Sequence, residues 1–406
     1  MTRRRPRLNW FRLLLLTVLI AGALYLNRIV ETIPPPFQPT PTVTRDPESF
    51  ITEAEQLFGQ GKLLQSIAAY QQAVLARPND PTTYVAMARA QVFAGLYPDA
   101  QISAENALLL NPNNSQAHAV RAWALDFQGD YLAAEAAITR ALELDPNNGL
   151  AHAYYAEILI DSYTYGNGSF ESVDKAAEES RVALSLAPGT IEAHRARGYV
   201  LEATANYEQA IAEYELASQI NPNIADLHMA IGRNYNALGV YDKAIEEYSR
   251  ANSLNPTDWQ PDLLISRTYA TVGEYAKAAQ FAEQAVQDNP SNARLRGNLG
   301  VMYYRNYQWP EAVAQLELAI QGGQTEDGVV IEALQLLPND PRLAEYFFTY
   351  GLVLARLNRC GEALLVFQQI LSRIPGDEIA VYNAQEGQAL CAQSLQNPSA
   401  SPTYAP

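Results

Sequence analysis

Residues 239–256 read GVYDKAIEEYSRANSLNP, and residues 273–290 read GEYAKAAQFAEQAVQDNP. Both open on glycine, place tyrosine two residues later and close on Asn-Pro. Alanine falls at matching places, Ala244 with Ala278 and Ala251 with Ala285, and the offset is 34 residues. Glycine escapes the steric bar to left-handed backbone, whereas proline lacks the donor a helix interior needs. Each stretch therefore reads as one helix that starts after a glycine turn and ends before a proline.

Outward from these two stretches the same punctuation covers most of the chain. Prolines recur at Pro78, Pro112, Pro146, Pro188, Pro222, Pro256, Pro290, Pro341 and Pro375, with gaps of 34, 34, 42, 34, 34, 34, 51 and 34. Most follow Asn or Asp (Asn111, Asp145, Asn221, Asn255, Asn289), residues that tolerate the left-handed conformation ending a helix. Gly95 and Gly129 repeat the glycine signal, followed by Tyr97 and Tyr131. With the closing proline counted as place 32, place 8 holds Ala54, Ala88, Ala122, Ala156, Gly198, Gly232, Gly300 and Gly351. Place 20 is alanine from Ala100 to Ala363, and place 27 from Ala73 to Ala319. Small residues in three columns mark where helices approach closely.

Period, glycine turn, alanine columns and terminal proline together resemble the tetratricopeptide repeat, a 34-residue helix–turn–helix unit. The resemblance spans residues 47–396 and implies an all-α fold, a right-handed α-solenoid; the residues ahead of it read as an N-terminal transmembrane helix. Nine units are expected within 47–377: 47–80, 81–114, 115–148, 149–190, 191–224, 225–258, 259–292, 293–324 and 344–377. A capping helix at 378–396 would cover the last open face, as solenoids require. Two inserts interrupt the period. One lies within 161–170; the other, near 321–340, contains Val329 to Leu337 as a short helix or strand.

Charge is unevenly placed along the chain. The net charge is −16, yet residues 1–45 carry seven arginines and one glutamate, leaving −22 on the rest. An acidic body of this size excludes nucleic acid as a partner, since phosphate neutralisation needs a basic surface. Arg3, Arg4, Arg5, Arg7 and Arg12 precede an uncharged apolar run, Leu13 to Leu26. Residues 1–31 therefore read as a basic segment and signal anchor, with a cleaved signal peptide as the other reading of the same residues. Both readings put the following chain outside the cytoplasm of a bacterial-type cell membrane. Residues 32–46 are a Pro-rich, extended spacer, and 397–406 a frayed tail.

Little in the chain suggests chemistry. The four histidines, His118, His152, His194 and His228, all occupy place 4 of consecutive units. Equivalent side chains on helices ~8–10 Å apart do not converge on one metal ion, so they read as packing residues. No nucleophile elbow, zinc-protease motif, Cys-x-x-Cys or Walker loop occurs; Gly59-Gln60-Gly61-Lys62 lacks the spacing. No catalytic residues, no cofactor and no metal are expected. The competing functions are a cell-envelope enzyme or hydrolase accessory using the inserts, and a self-associating structural element.

In the family it resembles, places 2, 5, 9, 12 and 13 of the first helices line a concave groove. In units one to four these places hold Phe58, Phe93, Trp123, Phe127 and Ile160 with net charge −4. In units five to eight they hold Arg195, Arg233, Arg267, Arg294 and Arg305 with net charge +2. Tyr199, Asn236, Met229 and Tyr304 lie between. Two readings stay open: the arginines bind an acidic partner segment, or they pair with local carboxylates. Some family members clamp a partner's terminal carboxylate with Lys and Asn here; Arg233 and Asn236 match only in type, so that activity is not carried over. The expected ligand is a protein or peptide partner lying along units two to eight. Cys360 and Cys391 fall on the same edge of the ninth unit and the cap, where they either pair or remain buried thiols.

Overall fold

The computed structural model describes residues 10–32, 45–166 and 168–396. Arg3 to Arg7, most of the expected spacer and the tail lie outside the described residues. Helix α1 (Trp10–Thr32) is apolar, and its span Trp10–Arg28 is not buried among the described residues. It is the one helix among the described residues long and apolar enough to cross a membrane, a character that signal sequences share.

The helices that follow come in antiparallel pairs, one pair per period. They are α2 (Pro47–Gly59) with α3 (Leu63–Ala76), α4 (Pro81–Phe93) with α5 (Tyr97–Leu110), and α6 (Ser115–Phe127) with α7 (Tyr131–Leu144). Next come α8 (Gly149–Tyr165) with α9 (Phe170–Leu186), α10 (Ile191–Ala203) with α11 (Tyr207–Ile220), and α12 (Ala225–Ala237) with α13 (Tyr241–Leu254). The array continues through α14 (Trp259–Thr271) with α15 (Tyr275–Asp288) and α16 (Ala293–Arg305) with α17 (Trp309–Gln321). A two-stranded antiparallel hairpin, β1 (Gly323–Gln324) and β2 (Val330–Ile331), precedes α18 (Pro341–Arg356), α19 (Cys360–Arg373) and α20 (Glu378–Gln396).

The turn inside every unit but the fourth carries a left-handed residue. Gly95, Gly129, Gly239 and Gly273 adopt it with φ between 74° and 81°. The same place holds Gly61 in the first unit, but Ala205, Tyr307 and Asn358 in the fifth, eighth and ninth, with φ of 58°, 61° and 58°. Residues with a Cβ are strained there, so packing on either side imposes the turn.

The turn between units differs from the sequence expectation. Asn111, Asp145 and Asn221 before the prolines are extended rather than left-handed, with φ near −143° and ψ between 94° and 101°. Proline Cδ collides with helical or left-handed backbone one residue earlier, which forces the extended form. Their side chains serve the turn instead: Asn111, Asp145 and Asn221 accept the backbone N–H two residues on, at 3.0–3.1 Å. Asp80, Asn114, Asn148 and Asn292 then cap the next helix through their side chains.

The alanine columns are the core. Ala54, Ala88, Ala122 and Ala156 are fully buried, as are Ala100, Ala134, Ala176 and Ala210. Where place 8 is glycine, a large side chain fills the space, a ring at Gly198, Gly232 and Gly351 and Leu316 at Gly300. A Cβ on Gly232 would lie 2.5 Å from the Tyr248 ring, and one on Gly351 2.3 Å from Phe367.

The first insert is mostly helix: α8 and α9 run 17 residues each, against 13 and 14 in the third unit. The second insert forms the hairpin and an irregular strap that buries Ile331 and Leu336 and donates Leu334 N–H to the Ala319 carbonyl at 2.9 Å.

Candidate functional site

The first helices α4, α6, α8 and α10 pack side by side and present one face inward. The array curls so tightly that this face meets itself. The Asn221 amide donates to the Phe58 carbonyl at 3.1 Å, and that of Asn223 to the Gly59 carbonyl at 3.1 Å. The turn of unit one thus rests on the loop between units five and six. Arg89 on α4 bonds Glu192 on α10, and Glu192 is 1 % exposed.

This closure turns the expected aromatic half of the groove into an interior. Phe58, Phe93 and Trp123 form a chain with ring centroids 5.5 and 5.2 Å apart. Trp123 stacks on Tyr154 at 4.3 Å and touches Phe127 at 5.9 Å. Trp123, expected on a groove wall, is 1 % exposed, and its indole N–H donates to Glu157 at 2.8 Å. Phe93 and Phe127 are half-buried, the latter stacked on Tyr97 at 4.6 Å. Arg195 crosses from the basic half, lies over Trp123 and Phe127, and bonds both Glu157 and Asp226.

Behind Arg195 sits a cluster of buried acids. Asp126 (3 % exposed) has no donor to either carboxylate oxygen, and burial together with Asp161 and Glu157 pushes its pKa well up. Protonated, it can donate to Asp161, whose pKa burial also raises and which accepts from the Tyr199 hydroxyl. Burial pushes Glu157 up to about 7 despite the Arg195 guanidinium beside it.

The remaining arginines are held by neighbours. Arg233 bonds Glu202 at 2.9 Å, the carboxylate that also accepts from Tyr214. Arg267 reaches Asn298 at 3.5 Å and lies against the Tyr346 hydroxyl. Arg294 bonds Asp340 at 2.8 Å and Arg305 bonds Glu345 at 2.7 Å, but both guanidiniums stay open to solvent. Tyr304, on the same helix, is half-buried, and the side-chain oxygen of half-buried Asn236 has no donor. The structure thus joins Phe93, Trp123, Phe127, Arg195 and Tyr199 in one closed interior. Arg294, Tyr304 and Arg305 lie on a separate, open stretch.

A cavity of about 170 Å³ opens on the inner face among Thr82, Val85, Arg89, Val120, Leu150 and Tyr154. Tyr154 is fully buried and its hydroxyl has no partner. Sequence spacing had no means of pointing to Tyr154, because it lies between the inward places and the packing stripe.

The histidines bridge turns. The Nε2 of His118, His152, His194 and His228 lies 2.9–3.0 Å from the carbonyl of the proline six residues earlier. Nδ1 of the last three meets Glu179, Glu213 and Glu247 on the second helix of the same unit. Cys360 and Cys391 are bonded, with their Cα atoms 5.5 Å apart.

Paired helices at a 34-residue period, stacked edge to edge with no sheet beyond one short hairpin among the described residues, define a helical repeat array. Tetratricopeptide repeat families match residues 85–149 and 263–327, and also 191–224 and 225–258. The chain is a tetratricopeptide repeat protein, of a scaffold class that is typically non-enzymatic and binds other proteins; no catalytic domain is found. No curated protein matches the sequence. Among solved structures, the chain is similar to Pseudomonas aeruginosa PilF (22 % identity, covering 50 % of this chain and 90 % of that one, TM-score 0.42). It is also similar to MamA (23 % identity, 41 % and 92 % covered, TM-score 0.34) and to yeast Tom70 (14 % identity, 87 % and 97 % covered, TM-score 0.41).

Proposed function

We propose that the chain is a membrane-tethered scaffold whose repeats, on the extracytoplasmic side, hold an extended acidic segment of a partner protein. Residues 1–31 serve as the anchor, 32–46 as the spacer and 47–377 as the right-handed repeat body capped by 378–396. The apolar α1, the arginines ahead of it and the bonded cysteines support the tether and the compartment.

One observation carries the partner assignment: on α16, the first helix of the eighth unit, Arg294 and Arg305 are paired yet half-exposed, with side-chain exposures of 52 % and 41 %. Both guanidiniums face solvent, so a partner carboxylate can reach them while Asp340 keeps its bond from the Leu343 N–H and Glu345 its pair with Arg342. Arg195, by contrast, is committed to Glu157 and Asp226. The partner segment therefore lies along the later units, past Arg233, Arg267, Arg294, Tyr304 and Arg305, rather than against Trp123.

Cross-linked pull-down from membranes with Arg294→Ala/Arg305→Ala beside the parent chain tests this. A partner lost in the variant, with binding that weakens as salt rises, is the expected result. Equal capture and an equal salt slope would place the partner elsewhere. A reporter fused after Pro406 that is active only in the cytoplasm would refute the topology.

A further inference from the structure

Place 4 and place 23 of the unit form a recurring bridge. In units four to six it is histidine and glutamate, His152 with Glu179, His194 with Glu213 and His228 with Glu247. In unit eight it is Arg296 with Gln315, the guanidinium donating to the Pro290 carbonyl at 2.8 and 3.1 Å and to Gln315 at 2.9 Å. A nitrogen cation or donor at place 4 thus links the closing proline of one unit to the second helix of the next.

Unit seven breaks the rule. Place 4 is Asp262 and place 23 is Phe281, so an acid stands where every neighbouring unit has a base. An ionised carboxylate has no hydrogen to offer the Pro256 carbonyl. Where the imidazole would lie there is instead a cavity of about 270 Å³, lined by Asn252, Pro256, Asp262, Gln280, Phe281 and Gln284.

Asp262 is 1 % exposed; Asn252 donates to one of its oxygens at 2.9 Å, and the other has no donor. A carboxylate oxygen of Asp288, close enough to interact with it, also lacks a donor. Burying such oxygens unpaired is costly, the more so when they are charged. Burial and Asp288 push the Asp262 pKa up to about 6, which leaves it mostly ionised at neutral pH.

We propose that this cavity binds an organic cation with N–H donors, an alkylammonium or guanidinium group, which takes the place of the absent histidine. The cation donates to the free oxygen of Asp262 and to the Pro256 carbonyl and rests against the Phe281 ring. Gln280 and Gln284, both exposed, stand at the mouth. An aromatic wall and a volume larger than one ion favour an organic cation over a bare metal ion. The cation belongs either to a free small amine or to a lysine or arginine side chain of a partner, and the chemistry is the same for both.

The test titrates the full chain with methylguanidinium and butylamine, against the neutral isostere methylurea and against calcium, by thermal shift and ligand-observed NMR. Saturable binding of the cations, not of methylurea, is expected, and it should weaken at least about tenfold in Asp262→Asn. Asp262→His/Phe281→Glu rebuilds the bridge of units four to six; it should abolish binding while raising the melting temperature, which proves the variant folded. A lysine-containing peptide that binds at least about tenfold tighter than butylamine assigns the cation to a partner side chain, and equal affinity assigns it to a free amine. Binding of calcium without the amines overturns the proposal. So does no cation binding with Asp262→Asn more stable above pH 6, since Asp262 and Asp288 then merely share a proton.

Discussion

Arg89 on α4 and Glu192 on α10 are 103 residues apart in sequence and bonded in the structure, with Arg89 also lying over the Phe58 and Phe93 rings at 4.9 and 5.5 Å. Neighbouring units in a solenoid touch by construction; the second and fifth do not. This pair is therefore a clasp on the curl of the array, reinforced by Asn221 and Asn223 on the turn of unit one.

Arg89→Ala should leave the Glu192 carboxylate buried and unpaired, at a cost of about 3–5 kcal/mol. The radius of gyration in small-angle scattering should rise as the clasp opens. Arg89→Ala/Glu192→Gln removes the stranded charge and should recover most of the stability but not the compactness. A single variant with unchanged melting temperature and unchanged scattering would mean that the aromatic chain alone holds the curl.

Asp126 sets a second expectation. Its folded pKa is raised above the ordinary value of 3.8, so it favours the folded state fully below that value, and the advantage is lost as pH rises through the folded pKa. Glu157 acts in the same sense between about 4.5 and about 7. Asp126→Asn keeps a donor for Asp161 without a charge to desolvate. It should stabilise the protein by about 1–3 kcal/mol at pH 8 and flatten the fall in melting temperature between pH 4 and 8. A variant less stable than the parent at pH 8 would show that the ionised carboxylate is matched by Arg195.

The repeat was legible because its turns demand particular residues. Gly95, Gly129, Gly239 and Gly273 announce a positive φ, and each closing proline announces a helix end. Ala205, Tyr307 and Asn358 adopt the same turn without announcing it, since their neighbours on both sides determine the backbone. The site was less legible. Spacing put Trp123 and Arg195 on the inward face, but a 34-residue period encodes contacts between adjacent units and carries nothing about Arg89 meeting Glu192. Composition likewise showed five arginines but not the carboxylates or the amide each one meets, such as Glu202 for Arg233 and Asn298 for Arg267.

Those unannounced turns hold recoverable strain. Ala205→Gly and Tyr307→Gly relieve a left-handed residue of its Cβ, worth about 1–2 kcal/mol per site before the entropy glycine loses on folding. Each variant should gain up to about 1 kcal/mol in urea unfolding. Gly95→Ala, with φ of 74° and no atom within 4 Å of the added Cβ, should lose about as much through backbone strain alone. Ala205→Gly less stable than the parent would assign the methyl a packing role that outweighs the strain.

The cap is held by a covalent bond as well as by packing. α20 lies against α18 and α19, and Cys391 (1 % exposed) joins Cys360 (8 % exposed) across a separation of 31 residues. Closing a loop of that length restricts the unfolded chain by about 3–4 kcal/mol on the chain-entropy view. The last unit also depends on its cover: Phe367 on α19 is wedged between Gly351 on α18 and Gly387 on α20, where an added Cβ would lie 2.3 and 2.0 Å from the ring. Cys391→Ala, or reductant on the parent chain, should therefore raise hydrogen exchange first in residues 378–396 and then in α19, while α4 to α10 exchange as before. The melting temperature should fall for the cap and the ninth unit ahead of the rest. Uniform loss of protection along the whole array would mean that the units unfold as one and the bond contributes only globally. Two thiols alkylated without reductant, in denatured protein drawn from its own compartment, would remove the support that this bond lends to an extracytoplasmic location.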